Sequence, residues 1–450
     1  MTETIFAQTG IIDVLLLLAY FAVMLAIGFF NSKKKTNDSY LIADRKAGAP
    51  TIGASLSAGF VGGGTLLVTA TLTFFYGFGA MWLYIGLAAG FLIFPFFFRK
   101  IKKENYYTLS DYVYDKLGGK NQILVTLMIF VVYFAYILSQ IIALGKAVEF
   151  VLQIPYILSI GIVSIIILIY LILGGFKSVL KTDLFQYGLL LVLFTVLVFA
   201  FFNGGTISAN ELNLFNLDIV NIIALTLFGF ISVFVLGEVW QRGFAAKDEK
   251  TMMKGFFIAA LIMIVLGASL VIVGFNAKNS SVDVSQMAQD AFFYGFEGIL
   301  PFGLSSIVVI LILVSVMSTL DTSIFLTSMN ISNDILYKFG IIRKDQLQLV
   351  CKISMIMITI IGILLSLFIE DMGSVVYNIV AMMLIFFPAV ILSRFINIPR
   401  AIVFRNIILG LLVFIIMYIM GMFNYVTALI PSLVALVHIS IELGIRKIFV

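Results

Sequence analysis

The sequence predicts an all-α polytopic membrane protein, and three observations carry that prediction. Hydrophobic residues make up 62% of the 450 residues and charged residues only 11%, whereas soluble domains carry about 25% charged residues. The mean hydropathy is +1.16. The apolar residues form continuous runs of about 20 residues, the length with which an α-helix crosses a bilayer, and not the short alternating segments of a strand barrel. A single helical bundle is therefore expected.

Thirteen apolar runs follow one another along the chain. They lie near residues 10–31, 51–71, 74–98, 122–150, 155–174, 179–202, 219–240, 252–275, 301–329, 347–369, 372–393, 401–420 and 423–443. The first 30 residues contain no basic leader followed by a small-residue cleavage site, so the first run is predicted to be a retained helix. An odd number of spans places the two termini on opposite sides of the membrane.

The basic residues predict which side is which. When alternate loops are assigned to the cytoplasm, 26 of the 28 Lys and Arg residues fall there, and only Lys146 and Lys278 fall on the other side. Cytoplasmic loops are enriched in Lys and Arg, so the N-terminus is predicted outside and the C-terminus in the cytoplasm, in the inner (plasma) membrane. The net charge of +5 reflects this asymmetry and not affinity for nucleic acid.

Residues 99–120 alternate basic and aromatic side chains and carry a capping-box pattern from Thr108 to Asp111. This pattern predicts a short interfacial helix anchored to anionic lipid, so the bilayer itself is a partner.

Cysteine and histidine are too rare for several kinds of chemistry. The chain has one cysteine, Cys351, and one histidine, His438, which exclude a disulfide framework, a Cys/His metal site and a Cys/His nucleophile pair. No other catalytic constellation converges in the sequence, so an enzyme is not expected.

A stripe of hydroxyl groups interrupts the ninth run. Ser315, Ser318, Thr319 and Thr322 stand at i, i+3, i+4 and i+7, which places them on one arc of a helix, with Asp321 bordering it. A carboxylate in the bilayer costs about 2.5 to 3.5 kcal/mol, so it should face the protein interior. Oxygen-only ligands suit a hard cation. Alternatively, the hydroxyls bond to carbonyls four residues earlier or help helices pack closely.

Three consecutive glycines, residues 62–64, lie inside the second run. Glycine costs about 1 kcal/mol against alanine in a helix, so the triplet favours unwinding, and freed carbonyls at membrane depth can bind a cation. At 1.5 Å per residue, Ala58 and Val61 lie about 10 to 15 Å from the cytoplasmic face, and Ser318 and Thr319 about 17 Å. The two segments therefore reach matching depths. Close helix packing through glycine is the alternative.

Asp183 arrives at a similar depth on another helix. It lies a turn or two inside the cytoplasmic end, level with Asp321 and Thr322, which makes a second cation site plausible. It could instead be an interfacial cap paired with a nearby lysine such as Lys181.

Four segments in this order resemble the sodium/solute symporters, the family of proline, pantothenate, sugar, sialic acid and choline carriers. They are DSYLIADRKAG (38–48), GGFKSVLKTDLFQ (174–186), VWQRGFAAKDEK (239–250) and SVMSTLDTSIFLTSMNISNDIL (315–336). The resemblance implies a five-plus-five inverted-repeat core of the leucine-transporter type. The extra first helix would be 10–31, the repeats 51–202 and 219–393, and the trailing helices 401–443.

The resemblance also implies sodium as the coupling ion, together with its ligands. The main sodium site would use the carbonyls of Ala58, Val61 and Ser315 and the hydroxyls of Ser318 and Thr319. A second sodium, present only in some members, would use Asp183, Ser318, Asp321 and Thr322. Many relatives have serine where this chain has Asp321, so one or two sodium ions per cycle remain open.

The solute is expected between the broken first helices of the two repeats. That region offers Gly63, Thr65, Trp82, Tyr133, Tyr136, Gln140, Gly229 and Ser232. VGGGT (61–65) and WQR (240–242) resemble the choline-type and undefined bacterial branches of the family more than the sugar branch. This resemblance implies a small zwitterionic or cationic solute such as an amino acid, a betaine or a choline-like compound, and aromatic faces can hold quaternary ammonium groups. Glu238 is interpreted as an ion-pair partner of Arg242 and not as a solute ligand.

The predicted function is therefore a sodium-coupled secondary active symporter that imports a small organic solute by alternating access. A channel-like protein or a solute-responsive membrane sensor is the alternative; the first would conduct, and the second would carry a signalling domain, which the sequence does not show. The sequence leaves the oligomeric state open, and a monomer would suffice.

Overall fold

The computed structural model describes residues 11–32, 36–204, 212–279, 305–369, 380–424 and 426–449. These ranges are mostly helical, and their only β pairing is a single bridge between Ala47 and Ala246. The all-α prediction is confirmed.

Seventeen α-helices are distinguished within those ranges. They are α1 (Ile11–Phe30), α2 (Asn37–Ile42), α3 (Ala49–Phe60), α4 (Gly63–Tyr76), α5 (Met81–Phe98), α6 (Leu109–Leu117), α7 (Gly119–Leu152), α8 (Tyr156–Gly174), α9 (Phe176–Gly204), α10 (Ile219–Val235), α11 (Gly237–Ala245), α12 (Glu249–Asn279), α13 (Ser305–Met329), α14 (Leu347–Ser366), α15 (Phe387–Leu392), α16 (Arg400–Ile419) and α17 (Ile430–Phe449). A π-helix, Asn330–Tyr337, continues α13.

Nine helical segments of the described ranges are long and apolar enough to cross a membrane, or ten if the bent pair α10 and α11 forms one span. The thirteen spans expected from the sequence stay a prediction. The run near 301–329 and the run near 372–393 both begin outside the described residues.

Two breaks interrupt apolar helices in the interior. The chain leaves the helical conformation at Val61 (φ −104°, ψ 52°) and Gly62 (φ −78°, ψ 172°), between α3 and α4. The chain leaves the helical conformation a second time at Leu236 (φ −75°, ψ 121°), where α10 and α11 meet at a bend of 53°. The predicted unwinding in the second run is confirmed, but it is narrower than the glycine triplet, because the helix resumes at Gly63.

The helix α6 fixes the end of α13. In α6 the capping box between Thr108 and Asp111 forms as predicted. The Thr108 hydroxyl also donates to Asp334 at 2.6 Å, and Lys338 pairs with Asp111 at 3.0 Å. The helix that carries the hydroxyl stripe is thus held at its π-helical end by buried polar contacts from α6.

Glycine brings α5 and α10 into backbone contact. A Cβ atom on Gly86 would collide with the Thr226 carbonyl, and one on Gly229 would collide with the Leu83 carbonyl. Small residues permit such close approach between membrane helices. Gly229, expected near the solute, is therefore a packing residue in this structure.

Replacing Gly86 with valine should destabilise the bundle by about 1 to 3 kcal/mol or more, because the two backbones must separate. The thermal unfolding midpoint of the purified protein in detergent measures this. Gly161→Ala in α8 is the control, since a Cβ there meets nothing within 4 Å. Equal midpoints for both variants would contradict the packing assignment.

Candidate functional site

The hydroxyl stripe of α13 faces the protein interior. Ser315, Ser318, Asp321 and Thr322 are at most 2% exposed, and Thr319 is 7% exposed. The expectation that these polar groups turn away from lipid is confirmed.

Ser318 and Thr319 meet the break between α3 and α4. The Ser318 hydroxyl lies 3.0 Å from the Ala58 carbonyl oxygen and 2.9 Å from that of Ser315, and the Thr319 hydroxyl lies 3.3 Å from the latter. A Cβ on Gly62 would collide with the Thr319 side chain, so glycine at this position allows the approach. The hydroxyls of α13 therefore stand against the unwound end of α3.

All five residues predicted for the main sodium site lie in this contact. Val61 is the unwound residue itself, and its N–H bonds to the Ala58 carbonyl at 3.3 Å. The donor set is one of carbonyl and hydroxyl oxygens, which suits a hard cation such as sodium.

Further along α13, hydroxyl groups bond to backbone carbonyls of their own helix, which is the alternative that the sequence left open for the stripe. Ser323, Thr327 and Ser328 donate to carbonyls of their own helix at 2.6 to 2.8 Å. Ser318 differs from them because its hydroxyl also reaches the carbonyl of another helix.

Asp183 is fully buried and pairs with Arg242 on α11. The Oδ2 atom lies 2.9 Å from Arg242 Nη2, and neither side chain is exposed. The same guanidinium donates to Thr322 Oγ1 at 3.0 Å and to Ser55 Oγ at 2.6 Å, while Ser55 Oγ donates to Asp183. The interpretation of Asp183 as an interfacial cap bound to lysine is wrong.

Asp321 belongs to a different network. Its Oδ2 accepts hydrogen bonds from Tyr170 at 2.8 Å and Thr182 at 3.2 Å, and its Oδ1 has no hydrogen-bond partner among the described residues. The residues predicted for a second sodium are thus divided between networks. Asp183 and Thr322 share the Arg242 guanidinium, which occupies the position between them.

The expected ion pair between Glu238 and Arg242 is wrong. Arg242 reaches only the backbone carbonyl of Glu238, at 3.4 Å, and directs its charge to Asp183. The sequence analysis therefore assigned the wrong partner to Arg242. Glu238 is four residues away on the same helix, whereas Asp183 lies 59 residues away in the sequence.

Lys102 holds the far end of α11. Its Nζ donates to the carbonyls of Gly243 at 3.1 Å and Ala246 at 2.6 Å, where helical carbonyls lack partners. Burial, together with repulsion from Arg45, lowers the pKa of Lys102 to about 8. The helix that carries Glu238 and Arg242 is therefore fixed at its C-terminal end.

Two tyrosines of α7 stand beside the second break. The rings of Tyr133 and Tyr136 lie 5.8 Å apart at 78°, and the Tyr133 hydroxyl lies 3.4 Å from Glu238 Oε2 and 3.3 Å from the Glu238 backbone nitrogen. Gln140, one turn further, is buried, and its Nε2 donates to Ser139 at 3.0 Å.

The other predicted solute residues have separate contacts. The Trp82 indole nitrogen donates to the Leu214 carbonyl at 2.9 Å, and Ser232 donates within its own helix to Phe228 at 2.7 Å. Gly63 begins α4, and Thr65 lies in its first turn, where the Thr65 carbonyl accepts from the Thr69 hydroxyl at 2.7 Å. The polar groups of Trp82 and Ser232 therefore form hydrogen bonds within the protein, and the role of these residues in binding the solute stays a prediction.

Comparison with known proteins identifies the family. The model of the sodium:solute symporter family matches residues 40–398. The chain belongs to the sodium:solute symporter family. Sodium is accordingly the coupling ion. Two similar curated proteins are the sodium/proline symporters of Staphylococcus aureus strains Newman and JH9, each 25% identical over 359 residues, which cover 74% of this chain and 69% of theirs.

Solved structures support the leucine-transporter-type fold of this symporter family member. A Na⁺-coupled sialic acid symporter in a substrate-bound outward-open state aligns with a TM-score of 0.80 at 18% identity, covering 97% of this chain and 98% of that one. Mhp1, a nucleobase-cation-symport-1 family transporter in a closed conformation, aligns with a TM-score of 0.60 at 14% identity, covering 92% and 96%. At these identities the likeness concerns the fold alone.

The buried pair of Asp183 and Arg242 predicts strong coupling between the two positions. Asp183→Asn leaves a buried guanidinium unpaired and should cost about 3 to 5 kcal/mol, whereas Asp183→Asn combined with Arg242→Gln should recover most of that loss. Unfolding midpoints of the four proteins in the mutant cycle measure the coupling. Arg405→Gln is the control, because its pair with Glu442 is 53% exposed on the arginine side and worth about 1 kcal/mol or less. Additive effects at 183 and 242 would contradict the pairing.

Proposed function

We propose that this symporter imports a small organic solute by alternating access, with sodium bound between the unwound end of α3 and the hydroxyls of α13. The observation that carries the proposal is the contact of Ser318 with the Ala58 carbonyl, beside Thr319 and Gly62. The proposed ligands are those of the main site: Ala58, Val61, Ser315, Ser318 and Thr319. The N-terminus is proposed to lie outside and the C-terminus in the cytoplasm.

The coupling follows from the position of this site. The α3 helix belongs to the first proposed repeat and α13 to the second, so a sodium ion bridging them binds tightly only where the two repeats are together. A ligand shifts a conformational equilibrium by its difference in affinity for the two states. Sodium therefore favours the conformation in which α3 and α13 are in contact, and release of sodium allows the repeats to separate.

The two breaks also favour a particular solute. The first turn of α4 starts at Gly63, and its N-cap residue, Gly62, provides no side-chain cap. In transporters with broken helices, such N-terminal ends point at anionic groups of the solute. A solute with a carboxylate, such as an amino acid or a betaine, fits this end, and proline is the first candidate because similar proteins are sodium/proline symporters.

We propose one sodium per transport cycle. A second sodium at Asp183, Ser318, Asp321 and Thr322 would have to displace the Arg242 guanidinium, which lies between Asp183 and Thr322 and is hydrogen-bonded to both. The guanidinium supplies a fixed positive charge at that place. One sodium and one neutral solute then carry one net charge inward.

Ser318→Ala and Thr319→Ala should each weaken sodium binding while leaving folding intact. Removal of one uncharged ligand from a dehydrated cation costs about 1 to 3 kcal/mol, or roughly 5- to 150-fold in apparent affinity. Thermal stabilisation by a sodium titration, at constant ionic strength with potassium, measures this. Thr327→Ala is the control, because its hydroxyl bonds within α13. Wild-type sodium affinity in both site variants would rule out the main site.

Proteoliposomes test the transport itself. Proline uptake should require sodium, with potassium and choline chloride unable to replace it, and an inside-negative potential of about 100 mV should raise accumulation roughly fifty-fold through one moved charge. The sodium activation curve should have a Hill coefficient of one. A coefficient near two, with a reversal potential that gives two sodium ions per solute, would restore the second site.

A further inference from the structure

Glu238 is a buried carboxylate at the level where a solute is expected. It lies in the first turn of α11, directly after the break at Leu236, and is 6% exposed. A Cβ atom on Gly59 of α3 would lie 3.5 Å from Glu238 Oε1. The carboxylate therefore faces the end of the other broken helix.

Arg242, the basic residue nearest to Glu238 in the sequence, forms its ion pair with another acid. Arg242 stands one turn further along α11, but its guanidinium pairs with Asp183 at 2.9 Å. In the described part of the chain, the ion pairs are Arg242 with Asp183, Lys338 with Asp111, Arg343 with Asp345, and Arg405 with Glu442. Glu238 is in none of them.

The contact of Glu238 with protein is weak for a buried charge. Its Oε2 atom accepts from the Tyr133 hydroxyl at 3.4 Å, a long hydrogen bond. A buried carboxylate stays ionised only where it is paired or strongly hydrogen-bonded, and it otherwise takes up a proton. A cation that enters from solution would supply the close partner that Glu238 does not have among the ion pairs above.

The surroundings define the chemistry of that cation. The Tyr133 and Tyr136 rings lie edge to face with each other, and the Tyr133 hydroxyl contacts the carboxylate. Aromatic faces attract alkylated ammonium groups. A carboxylate supplies the countercharge. Sodium prefers the shell of carbonyls and hydroxyls at the first break, whereas a carboxylate beside two rings suits an organic ammonium.

We infer that Glu238 binds the ammonium group of the transported solute, with Tyr133 and Tyr136 packing on its alkyl groups. This inference rests on the proposed function and narrows its solute class to organic ammonium compounds. A zwitterion would place its carboxylate at the N-terminus of α4 and its ammonium group at Glu238. In this proposal, selectivity for the solute depends on Glu238 of α11, whereas sodium binds to different residues, on α3 and α13.

Matched solute pairs test the inference on the full-length purified chain. Each pair differs only in the ammonium group: proline and cyclopentanecarboxylate, glycine betaine and 3,3-dimethylbutyrate, choline and 3,3-dimethyl-1-butanol. In sodium, at least one ammonium compound should raise the unfolding midpoint, and its carbon analogue should not. Glu238→Gln should weaken that response about ten-fold or more, because a charge-assisted contact is lost.

The controls separate this inference from the proposed function. Glu149→Gln, which removes another carboxylate of the core helices, should respond as wild type, and Glu238→Asp should retain part of the response. Stabilisation by sodium alone should persist in Glu238→Gln, which also shows that the variant is folded. A carbon analogue that works as well as its ammonium partner, an unchanged response in Glu238→Gln, or no response to any ammonium compound overturns the inference. Sodium-driven uptake of N-acetylneuraminate, which has no ammonium group, would overturn it and leave sodium symport standing.

Discussion

The contact between the hydroxyls of α13 and the unwound end of α3 is the interaction on which the rest of the structure depends. Backbone carbonyls freed inside a bilayer must find partners within the protein, so a broken helix is tolerated only where another element supplies them. Ser318 does so for Ala58, and Gly62 leaves the space that Thr319 enters. A cation could take the place of the hydrogen bonds that the Ser318 hydroxyl donates to the carbonyls of Ala58 and Ser315. This exchange requires only a small rearrangement, so the contact suits an ion site that fills and empties reversibly.

Buried charged groups in the core need partners for the same reason as the freed backbone carbonyls. Near the two breaks, the described helices carry three buried acids, Asp183, Glu238 and Asp321, and the single guanidinium of Arg242. If all are ionised, two negative charges remain, and ions in hydrocarbon surroundings require partners. On the proposed function, one sodium and one solute ammonium group supply two positive charges. The proposed sodium ligands include no acid, so sodium offsets this negative charge only from a distance, whereas the ammonium group would pair with Glu238 directly.

Local rules predicted the break near the glycine triplet and the matching depths of Ser318 and Ala58, but they did not predict the pairing between distant residues. Helical periodicity and the rise per residue placed Ser318 level with Ala58, and the structure brings them together. The partner of Arg242 lies 59 residues away, and the choice between Glu238 and Asp183 depends on how α11 is turned by its 53° bend. The orientation of α11 after this bend could not be predicted from the sequence. The sequence reasoning likewise placed Gly229 in the expected solute region without indicating that its missing side chain permits close contact with α5.

Equilibrium binding of radioactive sodium to the purified chain tests the central claim most directly. The account predicts one sodium per chain, lost when Ser318 and Thr319 are both replaced with alanine and retained when Asp183→Asn is combined with Arg242→Gln. Binding of two sodium ions per chain, or of one that survives loss of both hydroxyls, would contradict it.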